Sequence, residues 1–313
     1  MKKDKVLGCL IGVCVGDSLG VPVEFVSRQI LETKPITQMN GFGTHNQPPG
    51  TWSDDSSLTF CLADSLCSGF NLDDIADKFI KWLFNAYWTS HGVVFDVGGT
   101  TYNAIQRLKQ GINPLEAGPR DEYSNGNGSL MRISPMIFYL ENKDIDTQFN
   151  LTHQVSCLTH GHIRSQMACG IYVQFGINLL KGNDPELAYQ KMKETVLDYY
   201  SKELYSHELK HFERILENDI SQFAINSINS SGYVIDTLEA SLWCLLNHKS
   251  YKETVLAAVN LGGDTDTTGA VAGGLAGIYY GYADIPQKWV NSIARIDDIK
   301  QLCERFYTAI AEG

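Results

Sequence analysis

Glycine recurs at intervals of four in two apolar stretches of the chain: Gly8, Gly12, Gly16 and Gly20, then Gly269, Gly273, Gly277 and Gly281. Both stretches have helical periodicity, and a glycine in a helix interior costs up to about 1 kcal/mol against alanine. A stripe of them needs a compensating gain. The gain open to a flat face without side chains is the close approach of another backbone. The stripes therefore predict two helices in the centre of the protein. Packed against each other, they would bring the residues at their ends together.

The remainder reads as helix almost throughout. Apolar residues at helical spacing mark Lys5–Leu19, Asp55–Ser68, Leu72–Asn85, Gly99–Gln110, Leu130–Leu140, Ile145–Thr159, Ile163–Lys181, Asp184–Leu216 with a break near Ser201, Val234–Leu246, Tyr251–Leu261, Thr267–Tyr280 and an interrupted Ile285–Ile310. Alternating strand patterns bounded by hairpin turns are nearly absent, so the expected class is all-α. Gly41–Gly50, Gly111–Gly128 and Asn226–Gly232 are loops of moderate length rather than linkers between two cores, so residues 1–313 are expected to form one domain. The N-terminal lysines and apolar run superficially suggest a signal peptide. Asp17 interrupts that run and no small-residue cleavage site follows cleanly, so it reads as a core helix. The later run Ala270–Tyr280 is too short and glycine-rich to span a bilayer, and no membrane partner is expected. The eight cysteines include no C-x-x-C pair, which suits buried free thiols in a reducing, cytoplasmic setting.

The second glycine stripe is preceded by GGDTDTTG, in which Asp264–Thr268 are five consecutive oxygen-bearing side chains. An EF-hand loop would place a bidentate glutamate at the twelfth position, where Leu275 stands, so that reading fails. A phosphatase D-x-D-x-T loop follows a buried strand near the N-terminus; here an alanine-rich helical stretch precedes the motif, close to the C-terminus. The third reading is a metal site at a helix N-terminus, because Asp264, Asp266 and Thr267 are hard oxygen ligands suited to Mg2+ or Mn2+. A second oxygen cluster, Ser53, Asp54 and Asp55 in GTWSDDSSL, also begins a helix. Two ordinary capped helix starts would look the same one at a time. Brought together without cations, four carboxylates would repel one another by several kcal/mol. The net charge of −11 already argues against a nucleic-acid partner.

GVCVGDSLGVPVEF, GTWSDDSSLTFCLADSL, FDVGGTT, GNGSLMRISP, LTHGH and LGGDTDTTGA occur in this order. Together they resemble the ADP-ribosylglycohydrolase family, over roughly residues 5–282. The resemblance implies a compact domain of orthogonally packed helices around a central cleft with a dinuclear metal site. Ser53, Asp54, Asp55, Asp264, Asp266 and Thr267 match its metal-ligand positions, for two divalent cations, Mg2+ or Mn2+. It implies hydrolysis at the anomeric carbon of a ribose, with Glu24 managing protons beside the metals, Asp55 among the catalytic positions, and Asp96 protonating or orienting a leaving guanidinium. Gly98, Gly99 and Thr100, then Asn127, Gly128 and Ser129, then Gly262 and Gly263 would present backbone N–H groups to the pyrophosphate. His160 matches a position near the ribose and phosphates. Arg132 is open between phosphate contact and a structural role, and His162 is read as structural.

The partner so implied is a protein carrying mono-ADP-ribose, most simply on arginine. Serine-type O-linked ADP-ribose, a small ADP-ribosylated metabolite, or ADP-ribose binding without turnover are the alternatives. Tyr199–Gly232 lies outside the shared motifs, and the oligomeric state is left open, a monomer included.

Overall fold

The computed structural model of the chain describes residues 2–312. Eleven α-helices of ten residues or more carry the fold: α1 (Lys2–Gly20), α2 (Asp54–Leu66), α3 (Leu72–Asn85), α4 (Gly99–Lys109), α5 (Ile145–Cys157), α6 (Ile163–Leu180), α7 (Pro185–Tyr200), α8 (Val234–Asn247), α9 (Tyr251–Asn260), α10 (Thr265–Tyr280) and α11 (Ile296–Glu312). Shorter helical turns join them. Among the described residues the only extended pairings are two isolated bridges, Phe42 with Gln47 and Gly126 with Tyr233. The fold is all-α, as the periodicity predicts.

The glycine stripes meet each other. A methyl carbon placed on Gly8, Gly12 or Gly16 of α1 would overlap the carbonyls of Gly277, Gly273 or Gly269 of α10, and the same substitutions on α10 would overlap the carbonyls of α1. The helices run antiparallel with backbones in contact. The fourth step departs from the sequence expectation. Gly281 lies outside α10 as its C-cap, at φ 84°, and Gly20 instead faces the backbone of Thr265 and Asp266. Two tyrosines brace the pair from outside. Tyr251 of α9 donates its hydroxyl to the Gly12 carbonyl at 2.7 Å, and Tyr172 of α6 donates to that of Val271 at 3.1 Å. By length and composition α1 could cross a membrane, with a mean hydropathy of 1.9, yet 89% of its most apolar window is buried inside the fold.

The surrounding helices are ordinary amphipathic ones. In α3 the buried residues Ile75, Ala76, Phe79 and Trp82 fall three and four apart, and Asn71 caps the helix by accepting from the N–H groups of Asp73 and Asp74. The segment read as helix over Leu130–Leu140 is helical only from Pro135. Proline lacks the N–H to continue an existing helix and suits a first turn, so the chain turns before it and restarts. The long Asp184–Leu216 stretch breaks at Ser201, the C-cap of α7, and continues as short turns.

Because α1 and α10 already touch, Gly12→Ala is expected to cost about 1–3 kcal/mol through overpacking and to lower Tm by several degrees. Gly99→Ala, where an added methyl meets nothing within 4 Å, should leave Tm unchanged or slightly raised. Equal Tm for the two variants in a thermal melt would refute the close contact.

Candidate active site

The register of α1 on α10 determines where the first turn of α10 lies. Thr265 donates its hydroxyl to the carbonyl of Gly20 at 2.9 Å, tying the oxygen-rich string to the end of α1. One turn earlier in α1, the fully buried Asp17 accepts from the N–H of Ser53 at 3.0 and 3.1 Å, from the N–H of Ser56 at 3.1 Å and from the Ser56 hydroxyl at 2.5 Å. A carboxylate on donors at a helix N-terminus is a favourable anion site. Here it fixes the start of α2 against α1. Asp17 was not among the residues singled out from sequence. Its signal was a charge inside an otherwise apolar, glycine-striped helix.

The two oxygen clusters therefore converge. The hydroxyl of Thr267 donates to Asp55 at 3.3 Å, and that of Ser53 donates to the same oxygen at 3.0 Å. Asp264 accepts from the side-chain amide of Asn127 at 2.9 Å. One oxygen each from Asp17, Asp55 and Asp266 can be chosen within 4.8 Å of one another, and likewise from Glu24, Asp264 and Asp266. Asp55 Oδ1, Asp264 Oδ1 and Asp266 Oδ2 are buried without any hydrogen-bond partner. Buried carboxylate oxygens rarely stay unpaired, because each loses its hydration without recompense. A hard divalent cation fits this donor set, and several unpaired oxygens facing one another fit it better than two independent helix caps do.

Burial is the largest influence on these groups. It drives Asp54, Asp55 and Asp266 well above the usual carboxylate range, with neighbouring carboxylates adding to the rise. Asp264 is raised by burial despite the Asn127 amide, and Asp17 is pushed up to about 7. Glu24 is pushed up to about 10, first by burial and then by Asp96 and Asp264. A bound cation would reverse the sign of that environment.

Beside the oxygen clusters lies a cavity of about 360 Å³ whose lining includes Glu24, Asp54, Asp96, Asp264 and Thr267. The lining also includes Gly98, Gly99, Thr100, Asn127, Gly128 and His160, most of them at helix or turn starts. Gly98 caps α4, which opens its N-terminus towards the cavity. His160 is neutral, its imidazole pushed down to about 3 by burial and by Arg132, and it shares a hydrogen bond with Thr159 at 2.8 Å. Gly128 leaves it room, since a methyl there would stand 2.8 Å from the ring.

Ser129, Gly262 and Gly263, expected at the pyrophosphate, do not line this cavity, and neither does Arg132, whose role the sequence left open. Arg132 is fully buried; its guanidinium donates to the carbonyls of Gly128 and Val155 and lies over the Phe79 ring. It shapes the Asn127–Ser129 turn from beneath. Ser129 also points inwards, accepting from the Ser156 hydroxyl at 3.0 Å. Gly262 and Gly263, at φ 77° and 72°, turn the chain into α10 against Arg28 and Ser230. Asp55 and Asp266 sit below the cavity floor, and Ser53 serves as the N-cap of α2.

The sequence reading also missed His45. The turn Gly43–His45 packs so closely that a methyl on Gly43 would overlap the Pro22 carbonyl, and the Thr44 hydroxyl donates to the Glu24 carbonyl at 2.7 Å. This carries the imidazole to the acidic groups, where Nε2 hydrogen-bonds the Glu24 carboxylate and lies 3.7 Å from Asp96. Glu24, His45 and Asp96 form one group within 4.8 Å.

The family model described as ADP-ribosylglycohydrolase matches residues 1–313. An ADP-ribosylarginine hydrolase, Tri1, of Serratia proteamaculans is 32% identical over 317 aligned residues, covering 99% of this chain and 81% of that protein. The ADP-ribosyl-[dinitrogen reductase] glycohydrolase of Rhodospirillum rubrum is 31% identical, covering 93% and 90%. A solved structure titled as an ADP-ribosylglycohydrolase-related protein complex superposes with a TM-score of 0.83 at 30% identity, covering 99% of each chain.

A cation that binds these carboxylates must displace their protons, so binding tightens as pH rises. The sign for stability is the same. Carboxylates whose folded pKa is raised make the cation-free fold progressively less stable as pH rises past the unfolded value, and the cation removes that penalty. Adding Mg2+, Mn2+ or Ca2+ to EDTA-treated protein, each tried in turn, is expected to raise Tm more at pH 8 than at pH 6. At a hundredfold excess over Kd the gain is about 2.7 kcal/mol. Thermal melts of Asp55→Asn should show little of it, and an increment larger at pH 6 would overturn the assignment.

Proposed function

The chain belongs to the ADP-ribosylglycohydrolase family, and from that premise we propose that it hydrolyses the N-glycosidic bond between ADP-ribose and a protein arginine side chain, with two bound Mg2+ or Mn2+ ions. The observation that carries this reading is the meeting of two oxygen clusters beneath a cavity whose rim holds Glu24 and Asp96. The arginine-linked relatives support the choice of linkage.

Asp54, Asp55, Asp264 and Asp266 with the hydroxyls of Ser53 and Thr267 would hold the cations. Bound there, the ions supply Lewis acidity that orients ribose hydroxyls and lowers the pKa of a water. The chain's own residues do the rest. Glu24 takes a proton from the attacking water while His45 holds its carboxylate in place. Asp96, grouped within 4.8 Å of Glu24 and His45, delivers a proton to the departing guanidine nitrogen. Charge building on the ribose in an oxocarbenium-like transition state is offset by these carboxylates. The backbone N–H groups at Gly99, Thr100 and Gly128 are the donors for the pyrophosphate, helped by the N-terminal dipole of α4. Neutral His160 supplies one more polar contact at that end.

Free ADP-ribose released from matched peptides, one modified on arginine and one on serine, tests the proposal. We expect release from the arginine peptide, lost with EDTA and in Asp264→Asn. Glu24→Gln should lower kcat by about 10²–10⁴-fold, the size of a general-base contribution, with little change in KM. Release from serine alone would overturn the linkage. Tight ADP-ribose binding without release from either would make the protein a binder.

A further inference from the structure

The residue after Glu24 is anomalous in two ways. Phe25 has φ 65°, in the left-handed region that bulky side chains avoid. Its ring is also 70% exposed, at the lip of the acidic cavity. Either feature alone is unremarkable in a turn. Together they are costly, because the chain accepts backbone strain and exposes a large apolar ring for no packing return. Glycine would satisfy the backbone with no strain. The conformation is held by a reciprocal pair of main-chain bonds, the N–H of Phe25 donating to the Gly263 carbonyl at 2.7 Å and that of Gly263 donating to Val26 at 2.9 Å. These tie the ring's position to the turn that enters α10.

The ring's neighbours indicate what it faces. The His45 imidazole lies 6.4 Å from it, centroid to centroid, and Phe95 lies 5.4 Å beyond His45. Glu24 and Asp96 stand beside this aromatic rim, and among the described residues lining the cavity there is no lysine or arginine. The exposed π face of Phe25 next to two carboxylates forms a site for a cation with a flat apolar face, which is the description of a guanidinium. A neutral hydroxyl leaving group gains nothing from either element.

We propose that Phe25 is a specificity residue whose exposed ring receives the guanidinium of ADP-ribosylarginine beside Asp96, and so favours arginine-linked over hydroxyl-linked ADP-ribose. This rests on the arginine reading above and adds the group that selects it. The strained backbone is maintained because it aims the ring across the mouth of the site.

The test compares Phe25→Leu, Phe25→Tyr and Phe25→Gly with wild type on the arginine-modified peptide, alongside inhibition by free ADP-ribose, which lacks the guanidinium. Phe25→Leu is expected to lower kcat/KM roughly tenfold, the scale of a partly desolvated cation–π contact, mainly through KM. Phe25→Tyr keeps the π face and should stay within about twofold. ADP-ribose inhibition should be unchanged in all three. Phe25→Gly should lose as much activity as Phe25→Leu while its Tm stays level or rises, the opposite of what a packing residue would do. Phe25→Leu with wild-type kcat/KM, or losses matched by weaker ADP-ribose inhibition, would overturn the inference and leave the arginine reading standing. A wild-type protein that releases ADP-ribose from serine alone would overturn both.

Discussion

Contact between the backbones of α1 and α10 is the constraint on which the rest depends. Six glycines, three from each helix, remove the side chains that would hold the axes apart. The next step of the register sets Gly20 against Asp266. A side chain at Gly16 or Gly20 would therefore displace more than an interface. It would push the first turn of α10, and with it Asp264, Asp266 and Thr267, away from Asp55 on α2. Position in the site is inherited from packing in the core, which is why a glycine stripe and an oxygen-rich string adjoin in sequence. The string sits at the one end of α10 where the close-packed register can aim it.

The same arrangement gathers charges that an apolar core resists. Asp17 shows how the fold tolerates one of them. It spends both oxygens on three donors from Ser53 and Ser56, so its charge serves as the cap of α2. Asp55, Asp264 and Asp266 each keep an oxygen that no donor reaches. The other oxygen of each is bonded, by Ser53 and Thr267 at Asp55, by Asn127 at Asp264 and by the Thr267 N–H at Asp266. That gathering of unpaired oxygens distinguishes these carboxylates from Asp17, whose donors reach both of its oxygens. It also weakens the cation-free protein, since burial opposes ionisation at several neighbouring groups at once.

How much of this was legible depended on whether the cause was local. The helix pairing could be read because a stripe at intervals of four has few explanations. The two oxygen clusters could be read because each is contiguous. Ser129 was misplaced, and Arg132 left undecided, for a related reason. They continue the motif that begins at Asn127, but the tight turn there directs Asn127 and Gly128 to the cavity and Ser129 to the interior. Arg132 then reaches back beneath the turn it follows. Contiguity in sequence was taken for a shared face, which a 3₁₀ turn does not provide. Gly262 and Gly263 carried a true signal for unusual backbone but not for its use. His45 and Phe25 were invisible in another way. Each depends on a positive-φ turn, at Gly43 and at Phe25 itself, and on what that turn passes over.

An acidic site in a chain of net charge −11 must still receive a substrate with an anionic pyrophosphate. The distribution of groups along the cleft makes this tractable. Its lining carries four acidic groups, Glu24, Asp54, Asp96 and Asp264. The rest of the lining includes glycine backbone, Asn127 and a neutral histidine. An anion there would meet N–H dipoles rather than fixed charge, so its binding would cost little lysine or arginine desolvation and would respond weakly to salt. Cations at the acidic groups would then neutralise the centre, leaving Glu24, Asp96 and the Phe25 ring to face a positive leaving group. A substrate that joins an anion, a polyol and a guanidinium, as proposed above, would find a complementary group for each part in this lining.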